Sequence, residues 1–174
     1  MKSVTRRGHK TAHSTSDGVI RNRRASYDYA LGDKITVGME LTGAEAKAAR
    51  LSRVSLKGAY VVPKMNNHTG KMELFLINAS FTLMTNAPRG SGEKPTTVDT
   101  RARRLLAKRR EIDSLVEQRN SGKTIVPIRM LTRGRHVKLE IAAGKGKKQY
   151  DKRTAIRKRD DKREVAKLTK RYRI

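Results

Sequence analysis

Lys34-Ile35-Thr36-Val37-Gly38-Met39-Glu40-Leu41 runs straight into Thr42-Gly43-Ala44-Glu45-Ala46-Lys47-Ala48-Ala49-Arg50, and the periodicity changes at Thr42. Before it, Ile35, Val37, Met39 and Leu41 alternate with other residues, the period-two pattern of a half-buried strand. From Ala44 to Leu51 the residues are strong helix formers. Thr42 and Glu45 have the spacing of a capping box. In that motif the Thr hydroxyl accepts the N–H of Glu45, and the Glu carboxylate reaches back to the N–H of Thr42. A strand passing directly into a capped helix is the first fixed point of the fold.

Outward from there, Ser55–Val62 reads as a second strand stopped by Pro63, and Lys64–Gly70 as a polar hairpin loop. Met72–Asn78 reads as a third strand and Ala79–Thr85 as a fourth. Asn86–Val98, rich in Gly, Pro, Ser and Thr, reads as a flexible loop. The strongest helical pattern is Arg101–Gln118, with Leu105, Leu106, Ile112, Leu115 and Val116 on one stripe; Asn120-Ser121-Gly122 ends it. Thr124–Leu131 and His136–Ala142 are β-rich, with Thr132-Arg133-Gly134-Arg135 as the turn between them. The expected fold is therefore mainly β with accessory α: a closed β-barrel of the oligonucleotide-binding type, with about three helices and a basic C-terminal tail. Met1–Val19 lacks periodicity and reads as a disordered basic arm (1–19), followed by a barrel domain (20–144). In the tail (145–174) the apolar residues are too sparse to dock, so disorder alone and helix on a polyanionic partner are expected.

Charge narrows the function. The 174 residues hold 42 Lys and Arg against 16 Asp and Glu, a net +26, with no Cys and no Trp. Residues 1–24 carry 7 basic and 1 acidic side chain, 25–100 carry 9 and 7, 101–144 carry 12 and 4, and 145–174 carry 14 and 4. A near-neutral body between basic ends is the distribution of a protein that grips a polyanion, because neutralised phosphates release condensed counterions. No stretch approaches the roughly 20 apolar residues of a membrane span. Met1–Arg24 has no apolar core of a secretory signal, and without cysteine there is no disulfide framework, thiol nucleophile or Cys-based zinc site. A cytoplasmic, reduced setting fits.

Catalytic patterns fail on inspection. Ser121-Gly122-Lys123-Thr124 resembles the end of a P-loop, but the Gly required five residues before Gly122 is Glu117. His9 and His13 have the spacing of a zinc-binding helix, yet the intervening Glu is absent and Lys10 stands after His9. Asp160-Asp161 sits in a run of Lys and Arg, where salt bridges along a helix account for it. The reading is a non-enzyme, without metal or cofactor.

Several strings in order are more specific. They are Asn22-Arg23-Arg24-Ala25, Leu41–Arg50, Gly58-Ala59-Tyr60-Val61, Arg103-Arg104-Leu105-Leu106 with Arg110-Glu111-Ile112-Asp113, Val137-Lys138-Leu139, and Gly144-Lys145-Gly146-Lys147-Lys148-Gln149-Tyr150-Asp151-Lys152-Arg153. From about residue 19 to about 165 they resemble small protein B, the family of SsrA-binding proteins that partner transfer-messenger RNA in ribosome rescue. The resemblance implies a barrel that grips the tRNA-like domain of that RNA through Asn22, Tyr29, Arg50, Tyr60, Leu106, Lys138, Lys145, Lys147 and Lys148. It further implies a tail that enters the empty mRNA channel of a stalled ribosome, with Tyr150, Asp151, Lys152, Arg153, Arg157 and Lys158 near the decoding centre. Elongation factor Tu would be met through the RNA, and the protein would act as a monomer. Physically, Lys and Arg meet phosphates and exposed Tyr rings stack on unpaired bases; Tyr29, Tyr60 and Leu106 equally suit core packing, and Tyr150 an anchor at the barrel edge. One departure concerns the acidic residue that the family usually places two before the Gly of the first strand; here it is Thr36. A structural ribosomal protein and an enzyme acting on RNA are the rival classes.

Overall fold

A computed structural model of the chain describes residues 18–67, 69–84 and 96–151, and in the tail Arg153, Arg157, Asp161, Glu164, Val165 and Thr169. In chain order the elements are β1 (Val19–Arg21), α1 (Ala25–Asp28), β2 (Tyr29–Met39), α2 (Gly43–Arg50), β3 (Val54–Ser55), β4 (Tyr60–Met65) and β5 (Met72–Ile77). Then come β6 (Ser80–Met84), β7 (Thr96–Asp99), β8 (Arg103–Leu106), α3 (Arg109–Asn120), β9 (Thr124–Leu131) and β10 (Lys138–Gly146). No helix of the described residues is long and apolar enough to cross a membrane.

The fold is mainly β. Antiparallel pairs run β9–β10–β2–β8–β5–β4 and return to β9, where Val61 pairs with Ile125. The strands thus form a ring whose closing seam is a single pair. One edge of β9 is shared: Ile125 meets β4, while Arg129–Leu131 pair with β1. A second sheet, β3–β6–β7, stands beside the ring. The alternation read from Ile35 onward puts Val37 inside with Val61, Leu74, Leu76, Leu105, Ile125, Met130, Leu139 and Ile141, all at most 2% exposed. Each such side chain contributes about 1.5–3 kcal/mol by leaving water. Ile112 and Leu115 of α3 and Ala48 and Ala49 of α2 join the same core.

The capping box forms: Glu45 N donates to Thr42 Oγ1 at 3.4 Å, and Thr42 N to Glu45 Oε2 at 2.7 Å. The Glu45 carboxylate has a second task. It accepts from Arg101 Nε (2.8 Å) and Nη2 (2.6 Å) and from Arg103 Nε (2.9 Å). Arg103 is 0% exposed. Its Nη1 donates to the carbonyls of Ala79 (3.1 Å) and Arg101 (2.8 Å), its Nη2 to that of Asp99 (3.3 Å), and its guanidinium lies 3.8 Å over the Phe81 ring. One buried cation therefore ties the ring, through β8, to the second sheet and to α2. It persists because its N–H groups are paired; unpaired, a buried charge costs several kcal/mol.

That pairing overturns one expectation. Arg101–Gln118 is not a single helix: Arg103–Leu106 is strand β8, between β2 and β5, and α3 begins only at Arg109. Arg103 and Leu105 face in while Arg104 and Leu106 face out, a period of two that the adjacent leucines disguised as a helical stripe. Lys108 N donates to Glu111 Oε2 at 2.8 Å and sets the start of α3. Pro63 does not stop its strand either. It pairs with Leu74 inside β4, which beyond Val61 is an edge that needs no donor from proline. The strand expected over Ser55–Val62 is two, split by a turn at Gly58 with φ of +74°. The end of the presumed loop Asn86–Val98 is strand, Thr96–Val98 pairing with β6 in β7. β10 continues to Gly146, so Lys145 and Gly146 belong to the sheet rather than to the tail. Of the arm expected over 1–19, Val19 opens β1 and residues 1–17 lie outside the described residues. The described tail positions from Gln149 to Thr169 are helical.

Candidate nucleic-acid interface

Six of the nine residues expected at the RNA surface come together at one end of the ring. Tyr29 opens β2 opposite Gly146, and Ala30 lies opposite Lys145. Lys147 N donates to Asp28 O and its Nζ to Ser26 O, both at 2.8 Å. Lys148 N follows with a 3.2 Å bond to Asp151 Oδ2, which receives the chain as it turns helical. A groove of about 440 Å³ beside them is lined by Asn22, Arg24, Tyr29, Lys57 and Tyr60, among others. Tyr60 is 41% exposed and Tyr29 half-buried, and both residues line the groove. Gly144 makes the closeness possible: a Cβ there would stand 3.0 Å from Ala30 O and 3.1 Å from Tyr29 Cβ.

Asn22 has a different part from its neighbours. Its Nδ2 donates to Pro127 O at 2.9 Å, its N–H to Ile128 O at 2.8 Å, and its Oδ1 accepts Arg24 N at 3.3 Å. With its amide spent on the fold, it pins the turn after β1 against β9 and fixes where Arg24 stands. Arg24 and Lys57, on the rim, were missed in the sequence. Nothing in the sequence separates Arg24 from the adjacent Arg23, or marks Lys57 before Gly58, as facing a groove.

The remaining three lie elsewhere. Lys138 and Leu106 are both opposite Gly38, on β10 and β8, and share the outer face of the ring. Leu106 is 51% exposed, beside a groove of about 600 Å³ whose lining includes Thr36, Lys71, Arg104 and Lys108. Arg50, at the end of α2, donates from Nη2 to Arg135 O at 3.2 Å, just before β10. Thr36 pairs with Glu140, so a carboxylate stands on the neighbouring strand of this rung. Arg129 Nη2 holds it at 2.6 Å. That hydrogen bond, against the opposing effect of burial, keeps the Glu140 carboxyl below the usual carboxylate range.

In the tail, Tyr150 is 65% exposed and Asp151 half-buried. Arg153 and Arg157 are exposed helical positions, while Lys152 and Lys158 lie outside the described residues. Among the described residues no His, Asp and Glu cluster suited to a metal ion is present. Glu45 is the strongly perturbed carboxyl. Burial would raise its pKa, but the Arg101 hydrogen bond, the Thr42 N–H and the charges of Arg103 and Arg101 bring it down to about 2. It is enclosed by its arginines, with no reactive group beside it, and serves the fold.

Two basic grooves on a strand ring, one with tyrosine rings and a helical basic tail at its mouth, define a small protein built to hold a polyanion. The model of the SmpB protein family matches residues 19–171. The chain is 37% identical over 157 residues to the SsrA-binding protein of Oenococcus oeni, covering 90% of this chain and 94% of that one. It is 41% identical over 153 residues to the SsrA-binding protein of Paraburkholderia xenovorans, covering 86% and 95%. A chain in a solved structure described as "tmRNA-SmpB: a journey to the center of the bacterial ribosome" superposes with a TM-score of 0.54 at 26% identity, covering 80% of this chain and 95% of that one. The chain belongs to the SmpB protein family.

Proposed function

We propose that this chain binds transfer-messenger RNA, the SsrA RNA, and delivers it to stalled ribosomes for trans-translation, acting as an adaptor and not as an enzyme. The observation that carries this reading is the groove at Tyr29 and Tyr60. Residues from four distant stretches of a +26 chain converge there: Asn22–Tyr29, Lys57–Tyr60, Thr124–Val126 and Lys145–Lys148. Tyrosine rings beside lysines suit unpaired bases with their phosphates. The ring is read as a closed barrel of the oligonucleotide-binding type that holds the tRNA-like domain, with Arg50, Leu106 and Lys138 as a second contact. The tail beyond Lys148 occupies the empty mRNA channel near the decoding centre through Tyr150, Asp151, Lys152, Arg153, Arg157 and Lys158. Elongation factor Tu joins through the RNA, and the protein works as a cytoplasmic monomer.

Titration against transfer-messenger RNA and against an ordinary tRNA, at several salt concentrations, tests the first half. Steep salt dependence is expected for both, with clear preference for transfer-messenger RNA. Equal affinity would mean that charge alone is read, as in a structural ribosomal protein. Truncation after Gly146 tests the second half: much of the RNA binding survives and tagging of stalled chains is lost. Tagging by the truncated protein would remove the tail from the mechanism.

A further inference from the structure

The second contact is assembled from parts that do not touch one another in sequence. Arg50 is the last residue of α2, Leu106 the last of β8, and Lys138 the first of β10. Lys138 and Leu106 are fixed to each other through Gly38, whose absent side chain leaves room for Leu106: a Cβ there would lie 3.3 Å from Leu106 Cβ. Helix α2 has no hydrogen-bonded ladder to β8. Ala48 and Ala49 of α2 share the core with Leu105 of β8, and the polar link between the two elements is ionic: Glu45 on α2 against Arg103 on β8, side chains 1% and 0% exposed, with Arg101 also on the carboxylate. Asp99 Oδ2 holds Arg103 Nη2 at 3.2 Å from β7, and Phe81 supports the guanidinium from β6.

From this geometry we infer that Glu45 and Arg103 are positioning residues for the RNA surface: their pairing sets where Arg50 stands relative to Leu106 and Lys138. The inference rests on the reading that these three side chains meet the RNA. Core packing of Ala48 and Ala49 holds α2 down, and a carboxylate that accepts the first N–H of the α2 cap and two guanidinium groups adds a directional restraint on its rotation. The pairs are directional, because the fork of an arginine meets a carboxylate oxygen along fixed lines. An apolar contact of the same size would allow α2 to slide and rotate over β8. Arg50 lies one turn and a half along the helix from Glu45, so a small rotation at the carboxylate is carried to its guanidinium. At its far end Arg50 is held by a bond to the Arg135 carbonyl, an exposed contact.

The test is affinity for the tRNA-like domain of transfer-messenger RNA, measured on the full chain in two backgrounds, wild type and the double variant R50A/L106A. In the wild-type background Glu45→Gln, which keeps the shape and an acceptor for the Thr42 N–H but removes the charge, is expected to weaken binding about tenfold. In the double variant the same change is expected to weaken it less than about twofold, because the groups it positions are gone. A loss of the same size in both backgrounds would show general loosening and overturn the inference, as would unchanged affinity of Glu45→Gln in the wild type. If Glu45→Gln loses its cooperative urea transition, Asp99→Asn carries the test by the same comparison. It removes one charge facing Arg103 and is expected to weaken binding about threefold in the wild-type background alone; no loss, or equal loss in both, overturns the inference. Should R50A/L106A itself bind as the wild type does, the RNA surface assigned above falls instead.

Discussion

Arg103 and Arg24 carry the same guanidinium into opposite surroundings. Arg103 has no exposure, every bond direction filled by a carboxylate, a carbonyl or an aromatic face. Arg24 stands exposed on the rim of the Tyr29–Tyr60 groove and enters no ion pair among the described residues. A charge taken from water must be fully paired, and the pairing then selects one geometry. A charge left in water adds little to the fold and remains available to phosphates. The interior node shapes the protein, the rim leaves its charge open to a partner, and residue type alone does not tell them apart.

Arg103→Met would break the comparison most severely. It leaves Glu45 buried beside one guanidinium only, and the expected loss is about 3–5 kcal/mol of stability, read from the urea midpoint. An unchanged midpoint would mean that the node contributes nothing to the fold. Acid provides a gentler probe of the same node. The Glu45 carboxyl sits at about 2 in the fold against an ordinary 4.5. Its contribution is thus complete above about pH 4.5 and is lost as the pH falls from there through about 2. The difference corresponds to about 3 kcal/mol, and the acid limb of stability against pH should become shallower in Glu45→Gln. A limb identical in the two proteins would assign the acid sensitivity to other carboxyls, of which Glu140 is the nearest in kind. On the rim the order of effects reverses. Tyr60→Ala is expected to leave the urea midpoint within about 0.5 kcal/mol while costing about 1–3 kcal/mol of RNA affinity, the worth of one stacked base. Stability lost with affinity retained would make Tyr60 a core residue.

Local signals were legible where one element carries its own pattern. The alternation from Ile35 to Leu41 and the Thr42–Glu45 box stand in the fold as β2 and the start of α2. Gly122, marked as the end of the long helix, closes α3 with φ of +81°. The error at Arg101–Leu106 has a physical cause. Leu105 and Leu106 are consecutive, so they fit a helical stripe as well as the two faces of a strand. Only burial of Arg103 between two sheets separates the readings. Residues carrying the resemblance indicated three that line the groove, Asn22, Tyr29 and Tyr60, and three lysines beside it, but not that Asn22 spends its amide on the Pro127 carbonyl.

By itself the amino-acid sequence determined that the protein is strongly basic at its ends and near-neutral in the middle. It determined that a strand leads into a capped helix, and that its ordered motifs are those of one RNA-binding family. Charge, propensity and cap spacing act over a few residues, so a chain carries them without folding. The tertiary structure alone decided that the strands close through a single pair between Val61 and Ile125. It also brought Lys147 to the carbonyl of Ser26 across 121 positions, and turned Arg103 inward while leaving Arg24 on the surface. Those outcomes depend on which groups meet once the apolar faces have been buried, and contacts between distant segments leave no periodicity in the chain that makes them.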